Sequence, residues 1–242
     1  MMRLFKILLF CWLSNAALAA DETPIRFVTE ASYPPFEYFE QQDLRGFDIE
    51  LAELLCRQIN RKCEFYHQPF DSLLHSVLNG HYDAAISALD ITEERQLLVD
   101  FSDAYFDNSA VFVVPKVEGV AVDIVDGSVI AVQSGSSLQE FIQEQRPELF
   151  AIAYPSYQAA LDDLAKNRID GVFIDKAAAM YWLSKYTHLA TRPKDHSLGS
   201  GLGIAVSKDN QELLNLLNHA LSVVKNNGSY RQLYQEYFEA EP

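Results

Sequence analysis

VIAVQSGSSLQEFIQEQRPELFAIAYPSYQAALDDLAKNRIDGVFIDKAAAMYWLSK, residues 129–185, alternates between two periods. Val129 to Val132 is an apolar run of strand length, and Ser136 to Glu144 carries its apolar residues at helical spacing. The alternation continues with a strand near Ala151 to Tyr154, a helix from Ser156 to Asn167, a strand from Gly171 to Ile174 and a helix from Asp175 to Lys185. Strands that alternate with helices predict parallel sheets covered by helices. An earlier series reads the same way: strands at Ile25 to Thr29, Glu64 to His67 and Ala84 to Ser87, with helices from Asp48 to Asn60 and from Phe70 to Asn79, the second ended by Gly80. Ala110 to Val114, stopped by Pro115, and Leu202 to Val206 are further strands, and the tail from Asn210 to Phe238 is helical with a break near Gly228. Two series predict an α/β protein with two lobes. Ligands of open α/β sheets sit beyond the carboxyl ends of strands. That singles out Glu30 to Phe36, Ser87 to Arg95, Gln133 to Ser137, and Asp175.

The chain opens with Arg3 and Lys6, an apolar core from Ile7 to Leu13 and the small-residue site Ala17-Leu18-Ala19. This is the pattern of a cleaved export signal over residues 1–19, and its core is far shorter than the ~20 residues a membrane span needs. Phe10 stands before Cys11 where a lipoprotein needs a small residue, so a soluble mature chain in the periplasm is expected. Losing Arg3 and Lys6 takes the 19 basic residues to 17 against 34 acidic ones, a mature net charge of −17. That excludes nucleic acid as a partner, because such binding sets basic residues against phosphates. It suits a cationic ligand, and equally a surface built for solubility. Cys56 and Cys63 are the mature cysteines. Export favours a disulfide over a metal pair, since zinc needs three or four ligands and the histidines are scattered. Gly199-Ser200-Gly201-Leu202-Gly203 precedes a strand rather than following one into a helix, so it is not a dinucleotide loop. No cofactor and no metal are expected.

Tyr33-Pro34-Pro35-Phe36, Gly46-Phe47-Asp48-Ile49, Asp83-Ala84-Ala85-Ile86-Ser87, Ile91-Thr92-Glu93-Glu94-Arg95 and Phe101-Ser102 with Tyr105 occur in this order. Together they resemble the polar amino-acid binding proteins of ABC importers, solute-binding protein family 3, over essentially the whole mature chain. Ala88 to Thr92 and Ser156 to Phe173 look most like arginine-binding members. The resemblance implies the type II periplasmic-binding-protein fold: lobe 1 from residues 20–111 plus 204–242, an inserted lobe 2 from 114–202, and a hinge near 111–114 and 202–204. It implies a monomer that holds L-arginine, or lysine, ornithine or histidine, for a membrane permease. The alternatives are an enzyme like the cyclohexadienyl dehydratases on this fold, which an acidic pocket disfavours, and an amino-acid sensor.

The resemblance also implies the site. Arg95 is expected to grip the ligand's α-carboxylate, because a guanidinium offers two parallel hydrogen bonds; without the family match it reads as a surface residue. Asp175 is expected to accept the α-ammonium, a role compatible with its other reading as a helix N-cap. Ser137, at a helix start that favours anions, and Ser87 with Ala88 face the same main-chain end. Tyr33 and Phe70 match the aromatic positions that flank the side chain, Phe70 otherwise reading as core. Glu30 matches the carboxylate that meets a cationic side chain, and Asp90 adds a second where several relatives carry Ser or Thr. Gln133 and Gln158 are weaker candidates, Gln158 reading better as helix surface.

Overall fold

The computed structural model describes residues 23–118 and 122–239. The expected signal at residues 1–19 lies outside them. In chain order the first elements are β1 (Ile25–Thr29), β2 (Ser32–Tyr33), β3 (Glu37–Glu40), β4 (Asp43–Arg45), α1 (Phe47–Ile59), β5 (Cys63–His67), α2 (Leu73–Leu78), β6 (Ala84–Ala85), α3 (Glu93–Leu98) and β7 (Asp100–Phe101). There follow β8 (Ala110–Pro115), β9 (Val129–Gln133), α4 (Ser137–Gln145), β10 (Phe150–Tyr154), α5 (Tyr157–Ala165), β11 (Gly171–Asp175), α6 (Lys176–Leu183) and β12 (Leu189–Thr191). The chain closes with β13 (Ala205–Val206), α7 (Gln211–Asn226) and α8 (Ser229–Phe238).

These strands build two five-stranded sheets, ordered β5-β1-β6-β13-β7 and β10-β9-β11-β8-β12. β1 runs parallel to β5 and β6, and β9 parallel to β10 and β11. The expectation of wholly parallel sheets needs correction. β13 is antiparallel to β6 and β7, and β8 is antiparallel to β11 and β12. The reason is connectivity: a parallel neighbour needs a crossover that returns the chain to the same end of the sheet. β8 and β13 are instead the first strands entered after the chain passes from one sheet to the other, so they arrive from the opposite end. The third sheet, β2-β3-β4, and the short α3 were not expected as elements. They fall in stretches too short and too polar to show a period.

Helix α1 shows how local sequence fixes one lobe. Gly46 sits at φ 126°, and a Cβ there would lie 2.1 Å from the Phe36 carbonyl oxygen, so the entry demands glycine. Asp48 and Glu50 in the first turn complement the helix dipole, and Asn60 closes the helix in the left-handed conformation. The buried face of Phe47, Leu51, Ala52 and Leu55 packs against α7, whose Leu217 and Val224 are equally buried. Cys56 and Cys63 form a disulfide with Cα atoms 5.9 Å apart, tying the end of α1 to the start of β5. In the other lobe, Ser136 and Ser156 accept hydrogen bonds from the backbone N–H groups of Gln139 and Ala159 at 3.2 and 3.4 Å. Such caps are worth about 1 kcal/mol each, and they fix where α4 and α5 begin relative to the strand ends. Among the described residues, no helix is long and apolar enough to cross a membrane.

Candidate functional site

The carboxyl ends of the two sheets face each other, and the polar residues just past those ends meet between the lobes. From the first lobe, β1 delivers Glu30, and β6 delivers Ser87 and Ala88. Thr92 caps α3 by accepting the Arg95 N–H at 3.2 Å, which sets Arg95 in the first turn with its side chain turned inward. From the second lobe, β9 ends in Gln133, Ser137 is the first residue of α4, and β11 ends in Asp175. Glu30, Ser87, Asp90, Arg95, Gln133, Ser137 and Asp175 are all buried.

Direct hydrogen bonds join the lobes at this level. The Tyr33 hydroxyl donates to Asp175 at 2.6 Å, Gln133 Nε2 to Glu30 at 3.2 Å, and the Ser137 hydroxyl to Asp90 at 2.5 Å. The Arg95 guanidinium donates to the carbonyls of Asp90 at 3.1 Å and of Gly135, across the interface, at 3.4 Å. Gly135 lies at φ 71° with Asp71 so close that a Cβ would come within 2.7 Å of the Asp71 Cβ. Tyr33 also packs on Tyr157 of the opposite lobe, with ring centroids 5.2 Å apart. Phe70 is half-buried and lies under Arg95, whose guanidinium carbon is 5.6 Å from its ring centre, in cation–π range. Ala88 stands at φ 45°, a strained setting for a residue with a Cβ, with its N–H held by Asp48 at 2.7 Å.

The electrostatics of the cluster are lopsided. Burial pushes the Glu30 carboxyl up, against the pull of hydrogen bonds from Ser32 and Gln133. Burial likewise raises Asp90, although Ser137, Asn108 and the Arg95 charge favour its ionised form. Asp175 is raised to about 7, first by burial and then by the neighbouring Asp90 charge. Burial alone lowers Arg95, and the surrounding acids, Asp90 first, hold its charge. Three buried carboxyls therefore face one guanidinium. A buried carboxylate is tolerated when paired with a cation, and otherwise takes up a proton. The arrangement can accept a small molecule that carries one carboxylate for Arg95 and more than one positive group for the acids.

Two residues of the cluster had no motif to reveal them. Asn108 donates through Nδ2 to both Asp90, at 2.8 Å, and Asp175, at 2.7 Å, so it bridges the two acids. It lies in the polar stretch before β8, where sequence shows no period. Tyr157 opens α5, where it reads as a core position, while its neighbour Gln158 is exposed. Asp175 is the residue before α6, but its side chain makes no cap bond; it is spent on Tyr33 and Asn108.

The model of the bacterial extracellular solute-binding proteins, family 3, matches residues 25–240. The chain belongs to this family. It is a solute-binding protein and not an enzyme, with the two-lobed α/β periplasmic-binding-protein fold. It is 41% identical over 241 residues to a putative ABC transporter arginine-binding protein 2 of Escherichia coli, covering 97% of this chain and 99% of the relative. The ABC transporter arginine-binding protein 1 of the same organism is 40% identical over 227 residues, covering 92% and 93%. Among solved structures, a periplasmic binding protein of Salmonella typhimurium described for high arginine specificity superimposes with a TM-score of 0.84 at 35% identity, covering 89% of this chain and 99% of that one.

Proposed function

We propose that this family member captures L-arginine between its lobes, with lysine, ornithine and histidine as weaker ligands, and hands it to an ABC permease in the membrane. The observation that carries the reading is the charge of the inter-lobe cluster: Glu30, Asp90 and Asp175, all buried, against Arg95 alone. Arginine offers the complementary set, one carboxylate and two cations. In this reading Arg95 holds the α-carboxylate, with Ser137, Ser87 and the Ala88 backbone at the same end. Asp175 takes the α-ammonium. Glu30, with Asp90 and Gln133, meets the guanidinium, which Tyr33 and Phe70 flank. The planar fork of arginine uses paired acceptors better than the single ammonium of lysine. The names of the relatives support the same ligand.

Lobe 1 then comprises residues 20–111 plus 204–242, and lobe 2 residues 114–202. Val111 pairs with Ile174 in the second sheet, and Ala110 exchanges backbone hydrogen bonds with His196 at 2.7 and 2.8 Å. Leu202 pairs likewise with Phe106 and Tyr105. This supports two crossing segments that lie side by side, 105–110 and 196–202, slightly ahead of the boundaries read from sequence. Because the ligand touches both lobes it favours their closure, and a permease can read the closed form. Export through a cleaved signal at 1–19 and a monomeric state in the periplasm complete the proposal. The test is calorimetric titration of the refolded, ligand-stripped mature protein with L-arginine, L-lysine, L-ornithine, L-histidine and L-glutamine. Tight arginine binding with much weaker lysine is expected. Tight glutamine binding instead would overturn the acidic pocket and leave the main-chain clamp.

A further inference from the structure

We propose that Glu37 and Asp48 share a single proton and, as a pair, position the Ser87–Ala88 turn that meets the ligand. The proposal rests on the binding role assigned to that turn above.

Both side chains have 0% exposure, beneath the site on the first-lobe side. Their outer contacts are unequal. Asp48 accepts two hydrogen bonds, from the Ala88 N–H at 2.7 Å and from the Tyr105 hydroxyl at 2.8 Å. Glu37 accepts one, from the Ser87 hydroxyl at 2.8 Å, and that same hydroxyl oxygen accepts the Glu30 N–H at 3.0 Å. The remaining oxygens, Glu37 Oε2 and Asp48 Oδ1, are buried with no donor. Yet the two carboxyls are in hydrogen-bonding contact with each other. Two carboxylates cannot hydrogen-bond, and two orphaned acceptors in a dry core are costly. One proton between Glu37 Oε2 and Asp48 Oδ1 satisfies both.

The donor count places the charge on Asp48, which also sits in the first turn of α1 where the helix dipole favours an anion. Glu37 is then the neutral member. Burial raises both groups, Glu37 the further because Asp48 and then Glu30 add negative charge, and Asp48 to about 7. The other titratable groups facing the pair are Tyr105 and, from α8, Tyr230. The result is a relay of fixed contacts: one proton locks Glu37 to Asp48, Glu37 orients the Ser87 hydroxyl, and Asp48 holds Ala88 in its left-handed setting. Both are positioning residues; neither is assigned contact with the ligand.

The test compares Glu37→Gln with Glu37→Ala in the mature protein. Glutamine copies the protonated acid: its amide donates to Asp48 and its carbonyl accepts from Ser87. Arginine affinity within roughly threefold of wild type is expected for Glu37→Gln, and a loss of roughly tenfold or more for Glu37→Ala. The pair also has a pH signature. Glu37, which carries the proton, is raised well above its ordinary value, so the stabilisation it brings is fully present below the ordinary carboxylate range and is lost as pH rises through that raised value. The ligand-free melting temperature of wild type is therefore expected to fall from about pH 5 to about pH 8, and that of Glu37→Gln to fall by less. A Glu37→Gln variant as weak as Glu37→Ala, or one with the wild-type pH slope, overturns the proposal. Should Glu37→Gln fail to fold, infrared absorption of arginine-saturated wild type near neutral pH decides: a protonated-carboxyl stretch is expected, and its absence overturns the shared proton. If wild type binds no arginine, the binding reading fails, while the melting slopes and the infrared band still judge the proton.

Discussion

Asp175 offers the sharpest quantitative test of the binding reading. Its carboxyl is pushed to about 7 in this structure, by burial and then by Asp90, yet it must be ionised to receive an ammonium group. Near pH 6 roughly nine in ten molecules then hold a proton there, whereas near pH 8 about one in ten does. Displacing that proton costs about 1.4 kcal/mol more at the lower pH. Arginine affinity should therefore fall at least about tenfold from pH 8 to pH 6, with close to one proton released per arginine bound near pH 6. Asp90 and Glu30, also raised, add in the same direction. Asp175→Asn keeps the size of the side chain and an acceptor for the Tyr33 hydroxyl, but removes the charge. Near pH 8 this should cost about 3 kcal/mol, over a hundredfold, and the deficit relative to wild type should shrink near pH 6. Calorimetry at both pH values, in buffers of different ionisation enthalpy, reads affinity and proton release together. A wild-type affinity independent of pH, or an Asp175→Asn variant with the full wild-type slope, would refute the reasoning. Stability runs the other way. The raised value of Asp175 stabilises the folded chain below about 4 and loses that contribution as pH climbs through about 7.

Arg95→Ala should weaken arginine and glutamine alike by over about a hundredfold, since both present the same α-carboxylate. Arg95→Lys should not restore binding, because a lysine cannot reproduce the two donors that reach the Asp90 and Gly135 carbonyls. Glu30→Gln should weaken arginine by roughly ten- to a hundredfold and glutamine by much less, which competition titration measures. Replacing Cys56 and Cys63 by serine opens the short loop between α1 and β5. Its closure is worth about 2.5 kcal/mol by chain entropy, so melting should drop by roughly 5–10 °C, with no further drop on adding reductant.

The sequence exposed the fold wherever a strand was followed by its own helix, as from Val129 to Lys185, because two distinct periods sit side by side there. It did not expose the direction of β8 or β13: an apolar run of six or two residues says nothing about the end from which it is entered. Residues on strand ends, such as Asp175 and Gln133, could be placed near the site from the alternation alone. The pairing of Tyr33 with Asp175 spans 142 positions and follows only from the contact of two lobes. Asn108 and Tyr157 were missed for the same reason. A single amide in a polar stretch, and an aromatic at a core position, carry no local mark of what they meet across an interface. Arg95 shows the opposite case, since its run Glu93-Glu94-Arg95 looks like surface until Thr92 caps the helix and turns the guanidinium inward.

The contact between the lobes also supports the proposal of a cationic ligand. Asn108, Tyr33, Ser137 and Gln133 satisfy oxygens of Asp90, Asp175 and Glu30, but they are neutral donors and bring no charge. They make the acids tolerable in a dry interface only with protons to spare, which is what the raised values of Glu30, Asp90 and Asp175 express. Two positive groups from one ligand release those protons, because each acid then gains a partner worth more than the proton it loses. A glutamine brings one cation and leaves the Glu30 end as it was. In the proposed reading, selectivity for arginine comes less from shape than from the number of buried charges that closure must neutralise, and a ligand short of one charge gives up part of the free energy that drives the lobes together.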